Sequence, residues 1–308
     1  METYDSLLKN LEEHLYKHGP NHPYREVYHY SLIPPGKLFR PLLAFNVFND
    51  LTNEAQANKE VESKNSPLSL ICSALEIHHA YTLVHDDLPA MDNDDYRRGK
   101  ESVHKKFGQW KAILAGDGLL NLSYQLMARI KHPNQQALIP FAAWCLGPRG
   151  LIQGQVLDLS ANKEQGFDEI ILIHKLKTAR LIQLSIFSGF AFSKEQPLSY
   201  DDYKSSLRLG EALGLTFQLL DDLIDMYEDT QVHESEINPW FHFFKQTNDA
   251  TLFYIKETQR LIEKHQLENT HSFIKKYLNS SVEKFLKVCP EKELNKFDEV
   301  LDLLKAIH

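Results

Sequence analysis

Cysteine is nearly absent from this chain, with 3 in 308 residues, and Cys72, Cys145 and Cys289 form no CxxC pair. So few and so scattered, they build neither a disulfide framework nor a zinc ligand set, and they fit a reducing compartment. Glycine and proline are scarce too, at 13 each, and no linker rich in them and no block of like charge divides the chain. A single domain spanning 1–308 is therefore expected. No stretch approaches the roughly 18 consecutive apolar residues of a membrane span. The N-terminal METYDSLLKNLEEHLYKHG carries charges throughout, which reads as an amphipathic helix and not a signal peptide. Positive charge is in deficit, 34 Lys and Arg against 42 Asp and Glu, for a net charge of -8. No global attraction to nucleic acid or to an anionic membrane is expected, and any anionic ligand needs a local cationic cluster. A soluble, cytoplasmic protein is the expectation.

What the chain has in quantity is helical periodicity. With 43% hydrophobic residues it can bury a large core. Leu7, Leu8, Leu11 and Leu15 recur at spacings of three and four, the stripe of a surface helix. Residues 66–84 are apolar on several faces, which marks a central helix. Further runs are expected over 40–51, 109–130, 135–147, 167–192, 200–228, 247–264, 268–286 and 291–306. Strand alternation is lacking, and no solenoid repeat is present. These runs predict an all-α bundle of roughly ten helices, with a ligand cavity between the central ones.

Two acidic clusters carry the chemistry. In HDDLPAMDNDDYRRGK, Asp86, Asp87, Asp92, Asp94 and Asp95 crowd the end of an apolar helix, and Arg97 and Arg98 follow at once. In LTFQLLDDLIDMYEDT, Gln218, Asp221, Asp222 and Asp225 fall at i, i+3, i+4 and i+7, one face of one helix. Apolar Phe217, Leu220, Leu223 and Ile224 cover the other faces, so this carboxylate stripe is expected within the core, where it demands a counter-ion. Hard divalent cations such as magnesium take oxygen ligands and complete their shells with water and phosphate.

These motifs, in this order, resemble the trans-isoprenyl diphosphate synthases, of the bacterial and plastid type of farnesyl or geranylgeranyl diphosphate synthase. The resemblance runs from about Ile33 to Thr230. It also rests on GKLFRP, LAGDGLL, GLIQGQVLDL and IHKLKT. It implies an isoprenoid-synthase bundle, a homodimer, and the joining of isopentenyl diphosphate to dimethylallyl or geranyl diphosphate. The allylic diphosphate ionises, the homoallylic double bond attacks the cation and a proton is lost, giving all-trans farnesyl diphosphate. The resemblance further implies that Asp86, Asp87 and Asp92, with Asp221, Asp222 and Asp225, hold three magnesium ions on the allylic diphosphate, manganese being a substitute. Arg97, Lys177, Thr178 and Gln218 match the family's allylic contacts. Gly36, Lys37, Arg40, His79 and Arg98 match its isopentenyl diphosphate site, and Phe217 its contact to the isopentenyl chain. The alternative reading of His79 is a core histidine bonded to Glu76 on the preceding turn, and the two readings are compatible. Tyr81 and Thr82, five and four residues before Asp86, match its chain-length floor, where an aromatic residue accompanies a fifteen-carbon product.

Four positions, in three motifs, depart from the family pattern. Leu38 replaces an arginine and Pro35 a glycine in the family's GGKR, Glu101 replaces a proline, and Ser235 stands where a lid lysine is usual. Alternative readings are a geranylgeranyl diphosphate synthase, a low-activity regulatory homologue, a terpene cyclase and a purely structural acidic bundle. The cyclase form of the second motif carries Asn or Asp, then Ser or Thr, then Glu, unlike DDLIDMYED. A structural bundle leaves the paired arginines, Lys177 and GKLFRP without a role.

Overall fold

The computed structural model describes residues 2–161, 164–228 and 238–305. The chain forms two compact units. The first comprises Met1–Phe141 with Ser188–Leu198, the second Ala142–Phe187 with Ser199–His308. Among the described residues the only strands form one two-residue hairpin, so the all-α expectation holds.

In the first unit the order is α1 (Glu2–His18), α2 (Arg25–Leu32), α3 (Phe39–Leu51), α4 (Glu54–Glu62), α5 (Pro67–Asp86), the hairpin β1 and β2 (Tyr96–Arg97, Lys100–Glu101), α6 (Val103–Phe107) and α7 (Gln109–Ala128). The start of α5 is written locally. Ser66 accepts a hydrogen bond from the Ser69 amide at 3.1 Å, and Pro67 sits in the first turn, where no amide donor is needed. Because α5 is apolar nearly all round, α7, α3 and α1 all pack on it. The hairpin pairs Tyr96 with Glu101 and Arg97 with Lys100. Its two turn residues, Arg98 and Gly99, both have positive φ, 53° and 77°. For glycine this is costless, whereas Arg98 pays roughly 1 kcal/mol of strain.

The sequence boundary between the units falls inside α8 (Gln135–Leu146) and again inside α11 (Arg180–Phe192). The second unit adds α9 (Leu151–Leu159), α10 (Phe167–His174), a π-helical turn (Lys175–Ala179) leading into α11, then α12 (Tyr200–Asp225), α13 (Pro239–His242), α14 (Phe244–Lys264), α15 (Glu268–Val288), a 3-10 stretch (Glu291–Phe297) and α16 (Asp298–Lys305). Its long element is α12, capped by Ser199 accepting from the Asp202 amide at 3.1 Å, and α14 and α15 pack along it.

The long helices stand where periodicity places them. The short ones, α2, α4, α6, α9 and α13, are additional, since one to three turns carry too few apolar repeats to stand out. The run 167–192 is helical throughout but is interrupted by the π turn. No described helix is long and apolar enough to cross a membrane.

Candidate active site

In the first unit, Asp86 is the last residue of α5 and Asp87 caps it, its amide bonding back to the Leu83 carbonyl at 3.1 Å. The chain then folds over so that the Asp92 amide reaches the Asp86 carbonyl at 2.9 Å. The two adjacent carboxylates part company. Asp87 is 3% exposed and accepts from Arg97 Nε at 2.8 Å, while Arg97 Nη2 donates to Asp94 at 2.9 Å. Asp86 is half-buried and Asp92 exposed. Burial pushes the Asp87 carboxyl up and Arg97 pulls it down, burial being the larger effect.

The cations expected around a second anion gather near the strained turn. A Cβ on Gly36 would lie 2.7 Å from Arg98 Nη2, so the absent side chain is what lets the guanidinium lie over the loop. Arg40 Nε is buried without a hydrogen-bond partner, and burial lowers the Arg40 pKa to about 10, opposed by Glu76 and reinforced by Arg98. His79 is held far below the usual imidazole value by burial and by the charges of Arg40 and Arg98, which keeps it neutral. Lys37 is exposed. Leu38 is 2% exposed, so this side chain is spent on the core and brings no charge. The expected bond from His79 to Glu76 does not form. Glu76, raised by burial, instead feels the opposing fields of Arg40 and Arg98, and it is the neighbouring His78 that bonds, through Nδ1 to Ser123 Oγ at 3.1 Å.

Tyr81 is 7% exposed. Its ring meets His78 edge to face at 4.6 Å and His85 at 5.5 Å. Burial, then Asp86, pushes its hydroxyl up to about 12. Thr82 donates to the His79 carbonyl at 2.8 Å.

In the second unit the carboxylate stripe divides in the same way. Asp222 is 7% exposed. Its Oδ1 accepts from Gln218 Nε2 at 2.9 Å, its backbone carbonyl accepts from Asn238 Nδ2 at 2.6 Å, and His174 Nε2 approaches Oδ2 to 2.8 Å without hydrogen-bond alignment. Asp221 is exposed and Asp225 half-buried. The expectation of a wholly buried stripe is thus corrected. Only Asp222 lies in the core, and Gln218 and His174 answer it there, because the four positions span a wide arc of the helix of which one edge turns outward. Thr178 Oγ1 donates to Gln218 Oε1 at 2.8 Å, and the Lys177 ammonium pairs with Asp158. Phe217 is half-buried, edge to face with Tyr277 at 6.5 Å. Ser235 lies outside the described residues.

Motif spacing missed His78, Ser123, Asp158 and His174. Asp158 and His174 sit within GLIQGQVLDL and IHKLKT, and the signal available was their four-residue spacing from Gly154 and Thr178. A metal fits this donor set. Its donors are carboxylate oxygens, and no three His, Cys, Asp or Glu side chains among the described residues converge into a closed cage. Carboxylate oxygens are the donors that a hard divalent cation such as magnesium takes.

Comparison with known proteins bears on these motifs directly. Residues 21–239 match the family described as Polyprenyl synthetase. The farnesyl diphosphate synthase of Geobacillus stearothermophilus is 37% identical over 206 residues, which span 64% of this chain and 64% of that protein, just under two thirds of its length. The solved geranyltransferase of Legionella pneumophila is 28% identical with a TM-score of 0.72, covering 89% of this chain and 95% of that one. A geranyltransferase from Helicobacter pylori, solved with magnesium and isoprenyl diphosphate, shares the fold at 24% identity and a TM-score of 0.73, covering 90% of this chain and 96% of that one. The order of the motifs, the all-α architecture and these matches agree: this chain belongs to the polyprenyl synthetase family.

Proposed function

We propose that the protein is a magnesium-dependent short-chain trans-prenyltransferase that condenses isopentenyl diphosphate with dimethylallyl or geranyl diphosphate and releases all-trans farnesyl diphosphate. The observation that carries this reading is the sorting of each aspartate pair. In each motif one carboxylate, Asp87 or Asp222, is buried, whereas Asp86 and Asp225 are half-buried and Asp92 and Asp221 exposed. All six carboxylates are the reach toward three magnesium ions, and Asp87 and Asp222 are in addition held by Arg97 and Gln218. Magnesium, or manganese in its place, supplies charge neutralisation of the allylic diphosphate.

The chain's own residues do the rest. Arg97, Lys177, Thr178 and Gln218 hold the allylic diphosphate as its carbon–oxygen bond breaks. Gly36, Lys37, Arg40, Arg98 and neutral His79 hold isopentenyl diphosphate, with Phe217 against its carbon chain, so that its double bond forms the new carbon–carbon bond. No side chain is assigned as base, and the departing diphosphate takes the proton. Tyr81 and Thr82 limit the length of the product.

Both units are assigned to one catalytic domain, working in the cytoplasm as a homodimer. The dimer face proposed is α7, whose Trp110, Ile113 and Leu114 are 62%, 44% and 50% exposed. The test is incubation with magnesium, isopentenyl diphosphate and each allylic primer, with products resolved by chain length. A fifteen-carbon product is expected, lost on chelation. A mainly twenty-carbon product would assign the geranylgeranyl activity, and no condensation with any primer would end the proposal.

A further inference from the structure

We infer that Asp158 is a positioning residue for this reaction: together with Gly154 it seats the π-helical turn against α9 and aims the Lys177 ammonium at the allylic diphosphate. The inference deepens the proposed function and rests on its placing of Lys177.

Without the π turn, α10 and α11 would be one regular helix. A π turn widens the coil by a residue and weakens its hydrogen bonding, so it persists where the surroundings hold it. Here α9 and α12 both hold it. On the α9 side, a Cβ at Gly154 would stand 2.5 Å from the Lys177 amide nitrogen and 2.8 Å from the Leu176 carbonyl carbon, so glycine alone permits this approach. Asp158 lies one turn further along the same face of α9 and pairs with the Lys177 ammonium, the two side chains being 17% and 30% exposed. On the α12 side, Lys175 Nζ donates to Glu211 Oε1 at 2.6 Å and Thr178 to Gln218 at 2.8 Å, while a Cβ on Gly214 would meet Ala179 Cα at 2.5 Å.

The turn is therefore fastened through Lys175 and Thr178 to α12 and through Lys177 to α9. Lys177 needs its fastening most, because a lysine stem samples many rotamers and its ammonium is a point charge without the fixed fork of arginine. A partly buried carboxylate anchored on a helix narrows that sampling before any ligand arrives.

Three variants test this: Asp158→Asn, Asp158→Glu and Lys177→Met, with the double variant of Asp158→Asn and Lys177→Met. Asp158→Asn is expected to raise KM for the allylic diphosphate about tenfold, the scale of one charge-assisted contact, with KM for isopentenyl diphosphate within about twofold. Asp158→Glu should recover part of the loss. The double variant should be no worse than Lys177→Met alone, since Asp158 acts through Lys177. Calorimetric titration of inorganic diphosphate with magnesium should weaken in parallel. Equal rises in both KM values would reduce Asp158 to a general structural role, tighter diphosphate binding would make it a competitor for Lys177, and unchanged kinetics would remove its role altogether. Each of these overturns the inference. A wild-type protein that condenses no primer would instead sink the functional reading, and the diphosphate titration would still decide whether Asp158 and Lys177 are coupled.

Discussion

Replacing Tyr81 by alanine is expected to lengthen the product by one five-carbon unit and no further. Tyr81 lies five residues before Asp86 and His78 eight residues before it. At 1.5 Å per residue these stand about 7.5 and 12 Å from the carboxylate along α5, so removing the tyrosine ring deepens the space by about 4.5 Å, room for about one more unit. The next barrier is firm. His78 is wholly buried, and its tautomer follows from its partner. Ser123 spends its only hydroxyl proton on the Leu120 carbonyl at 2.7 Å, so it must accept from His78, whose Nδ1 carries the proton. The ring is thus tethered under Tyr81. Chromatography of dephosphorylated products from labelled isopentenyl diphosphate should show fifteen carbons for wild type and twenty for Tyr81→Ala. His78→Ala alone should leave fifteen, because Tyr81 still closes the space, and the two together should pass twenty. An unchanged distribution in Tyr81→Ala, or products well beyond twenty carbons with His78 intact, would show that the floor is not on α5.

The contrast between adjacent carboxylates predicts that Asp86→Asn lowers turnover by orders of magnitude with little change in melting temperature. Asp87→Asn should also cost about 1 to 3 kcal/mol of stability, discounted because its partner Arg97 is one third exposed, and so several degrees in a thermal melt; equal melting temperatures for the two would refute the sorting. Burial and Arg40 lower the His78 pKa to about 3. The unfolded chain takes up a proton near pH 6.5 that the folded chain refuses, so stability present above that pH is lost as pH falls from about 6.5 toward 3, at up to about 1.4 kcal/mol per unit. Urea unfolding at pH 7 and 5 should show this slope reduced in His78→Gln, and an identical slope would count against it. A Cβ on Gly118 would come 1.7 Å from the Tyr28 hydroxyl. Gly118→Ala should therefore destabilise by about 1 to 3 kcal/mol, with recovery when Tyr28→Ala is added, read by denaturant midpoints; additive losses would show that the two do not meet.

Periodicity and spacing were enough, from sequence alone, to define the all-α class, the positions of α5 and α12, both aspartate motifs and the family resemblance, because these depend on residues close together in the chain. What they could not decide is which member of each group faces inward. Asp86 and Asp87 are neighbours, as are Asp221 and Asp222, and each pair points about 100° apart on a helix. Which one is buried depends on what packs against that arc, and the deciding partners lie elsewhere in the sequence: Arg97 for Asp87, and His174 with Asn238 for Asp222. The π turn was equally hidden, since the apolar pattern of 167–192 reads as one continuous helix. It is the close approach of α9 at Gly154 and of α12 at Gly214 that accommodates the extra residue, and that approach exists only once the helices have packed.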